Sequence, residues 1–298
     1  MNIGIPLFML RPEQMADVAV RAEALGFESV WVAEHLIFPA EIQSRYPYAA
    51  EGIPPINPAT PLLDPLLVLM QVAARTQRIR LGTNVYILPL RHPIAVARMV
   101  TTLDVLSGGR VSFGVGLGWL EEEFRAVGID FATRAGRGRE AIRALRALWT
   151  EEVASFSGRY VNFEPVRFEP KPVQRPHPPI LVGGESEAAL RRAAALGDGW
   201  YGVGHTPESA GTQVRRLREL LSEQGRAAVP FDYTVSHGGG ELTADAVRRY
   251  AEAGITRVVS LPWRRAREAD EALGRLADRV LNSLTNLDLT KKREGDAA

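Results

Sequence analysis

The sequence predicts an α/β protein of the (β/α)8 TIM-barrel class, with insertions after the second strand and before the fifth. Eight short apolar segments alternate along the chain with segments whose apolar residues recur at helical spacing. Together they occupy about 280 residues, which suits a barrel of ~250 residues that carries extra loops. A doubly wound open sheet is the alternative, but such sheets usually have fewer strands and a glycine-rich turn after the first one.

The first strand, helix and second strand follow one another with short connections. Residues 2–8 predict the first strand, which ends before Arg11-Pro12. Residues 12–25 carry apolar side chains at helical spacing and end at Gly26, a residue suited to a helix C-cap. Residues 28–32 give the second strand. A strand, helix and strand in one sheet predict a right-handed crossover and parallel pairing.

The later elements repeat this alternation. Further strands are predicted at residues 79–85, 111–116, 179–183, 199–203, 231–236 and 255–261. Further helices are predicted at residues 66–75, 94–106, 138–148, 186–196, 207–223, 243–253 and 267–284. We therefore interpret residues 1–289 as a single barrel domain, and the polar residues 290–298 as a disordered tail.

Two proline-rich segments interrupt the alternation. Residues 36–65, here called the lid segment, contain seven prolines together with Tyr46 and Tyr48, so no regular element is expected there. Loops of this length are usually functional lids or disordered, and the aromatic content favours an ordered lid. Residues 158–178 contain five prolines and alternating aromatic residues, which predicts an extended excursion before the fifth strand.

The composition narrows the classes of function. A net charge of +1 and dispersed arginines give no support for nucleic-acid binding. Without cysteine there is no disulfide or cysteine–zinc site, and the five histidines lack metal-binding spacing, so no metal is expected. No apolar run is long enough for a membrane span, and no signal peptide is recognised. We expect a cytoplasmic protein that acts on a small molecule.

The barrel class places the active site at the C-terminal ends of the strands. The residues at those ends are Glu34 and His35; Asn84 to Leu88; Gly116 to Trp119; Gly183 to Ser186; Gly202 to His205; Ser236 to Gly240; and Pro262 to Arg264. His35 is the best candidate for proton transfer, because imidazole titrates near neutral pH. A structural histidine under the lid segment is the alternative interpretation.

The stretch GGRVSFGVGLGWLEEEF, residues 108–124, contains a turn, a short buried strand, three alternating glycines and a helix start. The glycines would let a flat or anionic ligand approach the backbone. Glu121, Glu122 and Glu123 are interpreted as an exposed first turn that complements the helix dipole. We reject a dinucleotide-binding fingerprint, because Gly118 comes too early, Trp119 is bulky, and the next residues are helical.

Other strand ends suggest a ligand with a flat ring and a phosphate. Gly183-Gly184-Glu185-Ser186 precedes a helix, so its free N–H groups form a natural phosphate site. A glycine turn with Ser186 as N-cap is the alternative. The glycine-rich walls, Trp119 and the lid tyrosines suit a large planar ring such as a flavin.

Several segments together resemble the bacterial luciferase-like flavin-dependent superfamily, and within it the coenzyme F420-dependent oxidoreductases. They are NIGIP, SVWVAEH, IRLGTNVYILPLRHPIAVAR, LDVLSGGRVSFGVGLGWLEEEF, EAIRALRALWT and PPILVGGESEAALRRAAALGDGW. The resemblance runs from Asn2 to Trp200, about two thirds of the chain. It implies a (β/α)8 barrel, often a homodimer, that binds a flavin or deazaflavin at the C-terminal ends of its strands.

By position, the resemblance also implies site residues. Glu34 and His35 match an acidic–histidine pair near the reactive ring, with His35 as the proton relay. Asn84-Val85 matches the place where relatives have a non-prolyl cis peptide behind the ring. The cofactor-binding residues implied or predicted are Asn84, Val85, Gly116, Gly118, Trp119, Gly183, Gly184, Glu185, Gly202 and Val203, of which the last five would hold the ribityl phosphate. Gly118 stands where the family's sugar-phosphate dehydrogenases have a catalytic glutamate, which argues against sugar-phosphate oxidation.

The resulting prediction is an F420-dependent oxidoreductase. In the reduced coenzyme, C5 delivers a hydride to an unsaturated carbon or carbonyl, and His35 or a bound water supplies the proton. An FMN-dependent monooxygenase that uses oxygen with a partner reductase is the alternative within the fold, and a non-catalytic flavin-binding barrel is a third hypothesis. Oxygen uptake separates the first two, because deazaflavin lacks N5 and reacts poorly with oxygen.

Overall fold

Eight strand positions, all parallel, close into a barrel in the computed structural model, which describes residues 1–54, 56–58 and 60–281. The barrel strands are β1 (Asn2–Pro6), β2 (Ser29–Val32), β3 (Arg80–Thr83), β4 (Tyr86–Ile87), β5 (Val111–Gly116), β8 (Ile180–Gly183), β9 (Gly199–His205), β10 (Asp232–His237) and β11 (Arg257–Val259). Two further strands, β6 (Ala154–Ser157) and β7 (Asn162–Val166), lie outside the barrel. β1 pairs with β2 and also with β11, which closes the barrel. β3 and β4 both pair with β5 and share one position. The predicted (β/α)8 class is confirmed.

Helices connect the barrel strands in the predicted alternation. They are α1 (Met15–Leu25), α2 (Pro65–Arg75), α3 (Pro93–Ser107), α4 (Glu121–Ala126), α5 (Arg134–Thr150), α6 (Glu187–Leu196), α7 (Pro207–Glu223), α8 (Ala244–Glu252) and α9 (Ala269–Leu276), which continues as a π-helix at Ala277–Leu281. α1 ends at Gly26, which has a φ of 92° and donates its N–H to the last turn, as predicted. Among the described residues, no helix is long and apolar enough to cross a membrane.

The core explains why the barrel strands read as continuous apolar runs. Every residue of β2, β5 and β8 is buried, because each strand packs against the barrel interior on one face and against helices on the other. The interior also contains aromatic side chains that come from neighbouring strands. Trp31 and Tyr201, whose ring centroids lie 5.3 Å apart, form a layer below the C-terminal ends of the strands.

Two predicted boundaries were wrong because glycine and backbone geometry override the apolar pattern. The third strand does not run to residue 85: it ends at Thr83, and a cis peptide joins Asn84 to Val85 before the chain pairs again as β4. The helix predicted from residue 138 begins at Arg134. Its first turns contain Gly136 and Gly138, which interrupt the pattern because Tyr160 and Leu117 occupy the space of their missing side chains.

The two insertions also differ from each other. The excursion predicted at residues 158–178 is a hairpin that starts earlier, with β6 and β7 paired antiparallel. Gly158 lies in its turn, where Glu140 accepts hydrogen bonds from the next three backbone N–H groups. The described part of the lid segment before α2 contains no helix or strand. The tail predicted at residues 290–298, and the end of the last predicted helix, lie outside the described residues.

Arg257 ties the N-terminal ends of three barrel strands together. Its guanidinium lies 2.8 Å from Glu28, just before β2, and 2.6 Å from Asp232 at the start of β10. It also donates to Thr234. Arg257 is buried and the two carboxylates are partly exposed, so this end of the barrel is held by an ion-pair network.

Candidate active site

A cavity of about 850 Å³ lies at the C-terminal ends of the barrel strands, below the lid segment. All of the predicted site residues except Gly202 line it. They are Glu34, His35, Asn84, Val85, Gly116, Gly118, Trp119, Gly183, Gly184, Glu185 and Val203. Ser236, one of the strand-end candidates, also lines the cavity. The sequence pattern did not point to Phe8, Arg134, Arg192 or Tyr201, which line it as well. The volume suits a cofactor or substrate of several rings.

Val85 forms part of the cavity wall, and two glycines make room for it. A Cβ on Gly116 would lie 2.4 Å from one Val85 methyl group, and a Cβ on Gly183 would lie 2.8 Å from the other. The Asn84 side chain donates to the Tyr201 hydroxyl at 3.1 Å. The glycines at 116 and 183 therefore first serve close packing between neighbouring strands. The sequence had suggested instead that they make room for a ligand.

Gly118 and Trp119 turn the chain from β5 into α4. Gly118 has a φ of 79°, and a Cβ there would lie 2.7 Å from the Phe124 ring, so a larger residue would be strained and crowded. The Trp119 ring meets the lid residue Tyr46 edge-on, with centroids 5.1 Å apart, and the His35 ring at 5.6 Å. Trp119 thus joins the lid segment to the barrel.

His35 is held by a carboxylate that was expected to be exposed. Its Nδ1 lies 3.1 Å from Oε2 of Glu123. Oε1 of the same carboxylate accepts a hydrogen bond of 2.5 Å from the Leu36 N–H. Glu123 is fully buried, so the interpretation of residues 121–123 as an exposed first turn is wrong at this position. The helical period places this third glutamate toward the strand ends.

Glu122 and Glu121 bind the lid segment from the same helical turn. Glu122 accepts hydrogen bonds from the Gln43 and Ser44 N–H groups and from the Ser44 hydroxyl. The Ser44 hydroxyl in turn accepts from the Glu121 N–H at 3.0 Å, so it caps α4. Burial alone would raise the pKa of Glu122, but these hydrogen bonds outweigh it and lower the pKa to about 2.

Glu34 is buried beside a guanidinium. Its Oε1 lies 2.6 Å from Arg91, and its Oε2 accepts a hydrogen bond from the Ile87 N–H at 2.5 Å. Asp64 lies 3.4 Å from the other side of Arg91, which also sits over the Tyr86 ring. Burial raises the pKa of Glu34 to about 7, although Arg91 and the Ile87 N–H oppose the shift.

The far end of the cavity contains the start of α6. Ser186 is the N-cap of α6, and its hydroxyl accepts from the Ala189 N–H at 3.3 Å. Gly184 has a φ of 124°, and a Cβ there would lie 2.8 Å from Ala189. The predicted N-cap is therefore present, and the backbone before it faces the cavity without a side chain at Gly184.

Glu185 does not project freely into the cavity. Its carboxylate accepts from the Val203 N–H at 2.8 Å and contacts His205 Nε2 at 2.7 Å. The His205 Nδ1 lies 3.0 Å from the Ser209 hydroxyl. Gly202 packs between the Trp200 ring and His205 and does not line the cavity. The interaction of Glu185 with His205 gave no sequence signal, because the partners lie on different loops.

Three arginines surround this end of the cavity. Arg134 and Arg192 line it, and Arg139 lies near Arg192. The pKa of Arg192 is lowered by burial and then by the positive charges of Arg139 and Arg134. In the described part of the chain, none of the three forms an ion pair, although Arg134 stacks on the Phe131 ring at 3.8 Å. The arrangement is suited to an anionic group.

The carboxylates and histidines do not form a metal centre within the described ranges. No three His, Cys, Asp or Glu side chains are grouped there so that they could hold a metal ion. The acidic side chains around the cavity are instead occupied by backbone N–H groups, arginines or histidines.

Comparison with known proteins identifies several relatives. The chain is 36% identical over 286 residues to the uncharacterized protein Rv0953c of Mycobacterium tuberculosis, covering 94% of this chain and 99% of that one. It is 37% identical over 138 residues to the FMNH(2)-dependent dimethylsulfone monooxygenase of Pseudomonas putida, covering 45% and 38%. It is 33% identical over 231 residues to the F420-dependent glucose-6-phosphate dehydrogenase of Kineococcus radiotolerans, covering 75% and 63%.

The fold and the family agree with these relationships. The crystal structure of monooxygenase RslO1 from Streptomyces bottropensis superposes with a TM-score of 0.73 at 24% identity, over 95% of this chain and 100% of that one. That similarity shows the fold alone. Residues 8–288 match the profile of a family described as luciferase-like monooxygenase. The chain belongs to the luciferase-like monooxygenase family.

Proposed function

We propose that the protein is an F420-dependent oxidoreductase that transfers a hydride between the deazaflavin and an unsaturated or carbonyl substrate. One similar protein is F420-dependent by name, and it matches three quarters of this chain. The residues that line the cavity support this proposal. The observation that carries the proposal is the arginine cluster, Arg134, Arg139 and Arg192, beside the start of α6.

The arginine cluster favours F420 over FMN because of charge. FMN ends in one phosphate, whereas F420 carries a phosphodiester followed by several carboxylates. Arg134 and Arg192 line the cavity, and Arg139 extends the positive charge to the exposed surface. Three guanidinium groups that have no acidic partner among the described residues exceed what one phosphate needs, and they match a longer anionic tail.

The other residues fit the ring end of the cofactor. Val85, with Gly116 and Gly183 packed behind it, gives an apolar wall, and Trp119 stands on the lid side. When bound, the deazaflavin supplies the hydride chemistry at its C5. The protein excludes water through the lid segment and moves a proton through His35, whose ring lines the cavity. Glu34 keeps the adjacent backbone in place through Ile87 and Arg91.

A cofactor titration tests the proposal directly. The purified protein is titrated separately with F420 and FMN, and the quenching of tryptophan fluorescence is measured, since Trp119 lines the cavity. We expect saturable quenching by F420 at lower concentration than by FMN. FMN that stays bound through purification, with no response to F420, would contradict the proposal.

The arginine cluster can be tested apart from the ring. Arg192→Gln and Arg134→Gln are each expected to weaken F420 binding about 10-fold, because a charge-assisted contact is lost. Binding of the deazariboflavin core, which lacks the phosphate and tail, should stay unchanged. Arg248→Gln is the matched control, since Arg248 pairs with Asp245 on the exposed side of α8. If the variants lose as much affinity for the deazariboflavin core as for F420, the arginines support the fold and do not bind the anionic tail.

An FMN-dependent monooxygenase is the second candidate, favoured by the relative that uses FMNH(2). The match to that relative covers less than half of this chain. The family profile that matches residues 8–288, however, is also described as luciferase-like monooxygenase. Oxygen consumption distinguishes the candidates, because hydride transfer from F420 consumes none. Oxygen uptake in step with product formation, in the presence of a flavin reductase, would support this second candidate.

A further inference from the structure

The buried carboxylate of Glu123 has no role in the function proposed so far. It is fully buried, yet both of its oxygens have partners on the lid side of the barrel. Oε2 lies 3.1 Å from His35 Nδ1, and Oε1 lies 2.5 Å from the Leu36 nitrogen. A carboxylate is costly to bury, so such a group is retained where its partners are fixed.

This contact determines which ring nitrogen of His35 carries a proton. One oxygen of Glu123 already accepts the Leu36 N–H, and a carboxylate has no hydrogen to donate. The contact with Nδ1 is therefore a hydrogen bond only when Nδ1 carries the proton. In neutral His35 the other nitrogen, Nε2, is then left with a free lone pair. In the described part of the chain, no protein group hydrogen-bonds Nε2.

The remaining neighbours of His35 orient the ring without competing for its protons. Phe38 packs against the ring with centroids 4.7 Å apart, and Trp119 meets it edge-on. Glu34, its neighbour in the chain, is engaged by Arg91. Among the described residues, Glu123 is the acidic group in direct contact with the imidazole.

We infer that Glu123 is the positioning residue of His35: it holds the imidazole as the Nδ1–H tautomer and leaves Nε2 to exchange protons in the cavity. The same carboxylate binds Leu36, the first residue of the lid segment, so imidazole orientation and lid position are fixed together. The role of Nε2 in turnover rests on the proposed function, but the tautomer does not. Glu123 does not line the cavity, and acts through His35.

The tautomer can be read by NMR in the cofactor-free protein. Imidazole nitrogen-15 and carbon-13 shifts are recorded at alkaline pH, where free histidine is neutral, and the His35 signal is assigned by its loss in His35→Gln. We expect the wild-type signal to show Nδ1 protonated and Nε2 unprotonated. A wild-type signal of the Nε2–H tautomer would overturn the inference.

Two neighbouring carboxylates make a matched pair of variants. Glu123→Gln should shift His35 toward the other tautomer, because an amide can donate to Nδ1 as well as accept from it. Glu122→Gln, which perturbs the Ser44 contact without touching His35, should leave the tautomer as in the wild type. An unchanged tautomer in Glu123→Gln would also contradict the inference.

Kinetics then separate positioning from cofactor binding. With reduced F420 and an enone acceptor, Glu123→Gln is expected to lower turnover about 10- to 100-fold, with the Kd for F420 within about twofold of wild type. A Kd that rises in step with the lost turnover would assign Glu123 to cofactor binding instead. If the wild-type protein does not bind F420, the proposed function is contradicted. The NMR measurement still tests the inferred tautomer, because it uses the cofactor-free protein.

Discussion

Glu34 shows how burial changes the charge of a single side chain at the site. Burial raises its pKa from 4.5 to about 7, because the loss of hydration disfavours the charged carboxylate more than the positive charge of Arg91 stabilises it. A raised folded-state pKa means that the unfolded chain releases this proton first as pH rises. The associated stability is therefore fully present below pH 4.5 and is lost as pH rises to about 7.

The Glu34→Gln variant should lack this pH dependence. A glutamine keeps an acceptor for the Ile87 N–H and cannot ionise, and Asp64 still neutralises Arg91. The wild-type free energy of unfolding, minus that of Glu34→Gln, is expected to fall by about 3 kcal/mol between pH 4.5 and pH 7. Urea unfolding at a series of pH values measures it. A difference that stays constant or rises with pH would show that Glu34 remains charged.

Gly116 illustrates steric coupling between two residues. Gly116→Ala should destabilise the protein by about 1–3 kcal/mol, because the new Cβ would lie 2.4 Å from a Val85 methyl group. Val85→Ala removes that methyl group, so the double variant should recover part of the loss. Urea unfolding of both single variants and the double variant measures the coupling. Strict additivity would show that the two side chains do not compete for the same space.

At the scale of elements, α4 is short but connects the lid segment with the barrel. Its first turn presents three carboxylates, and each has a different task. Glu121 pairs with Arg125 on the surface, Glu122 binds Ser44, and Glu123 binds His35. Because the pKa of Glu122 is lowered to about 2, its lid contacts persist through neutral and mildly acidic pH.

Ser44→Ala should loosen the lid segment without unfolding the barrel. The variant loses the hydrogen bond to Glu122 and the cap on the Glu121 N–H, about 1 kcal/mol of local stability. We expect tryptic cleavage after Arg45 to become about 5-fold faster, as local opening becomes more frequent. Mass spectrometry identifies the site. Ser222→Ala, on the exposed end of α7, is the control. Equal cleavage rates in the two variants would show that Ser44 does not hold the lid segment against α4.

The elements themselves were largely predictable, and their exceptions have physical causes. Apolar periodicity located the barrel strands and most helices, since both faces of a barrel strand and one face of each helix are buried. It missed the interruption after Thr83 and the start of α5, where glycines pack against side chains that are distant in sequence. Such contacts leave no local pattern, so a single sequence does not reveal them.

At the scale of the whole molecule, the barrel is closed by pairing of its first and last strands. Arg257 lies at that junction. Its partner Asp232 begins the neighbouring strand β10, and its partner Glu28 precedes β2, which lies on the other side of β1. The network joins residues 229 positions apart in the chain. It therefore forms only when the barrel has closed.

Arg257→Leu is expected to destabilise the folded protein by about 3 kcal/mol. Removing the guanidinium takes the nearest cationic partner from two partly exposed carboxylates, and the remaining ion pair of Glu28 with Arg80 is longer, at 3.9 Å. Arg275→Leu is the control: that arginine forms an exposed pair with Glu271 one helical turn away, and its loss should cost less than about 0.5 kcal/mol. Chemical unfolding of both variants measures the difference. Equal free energies of unfolding for the two variants would show that Arg257 does not stabilise the closed barrel.

The candidate site was predictable where one strand end carries the chemistry. Glu34, His35, Val85 and Trp119 follow directly from the rule that active sites lie at strand C-termini. Glu123 and the arginine cluster were missed, because their relevance depends on which helix faces meet above the barrel. The roles of the predicted residues, the homodimer and the cytoplasmic location stay predictions.

The arginine cluster also has a kinetic consequence. Positive charge beside one end of the cavity attracts a polyanion over distances on the order of 10 Å before any contact forms. A cofactor with an acidic tail would thus arrive tail-first, already aligned with the cavity. Its association rate should fall as ionic strength rises, while the rate at which it leaves changes much less.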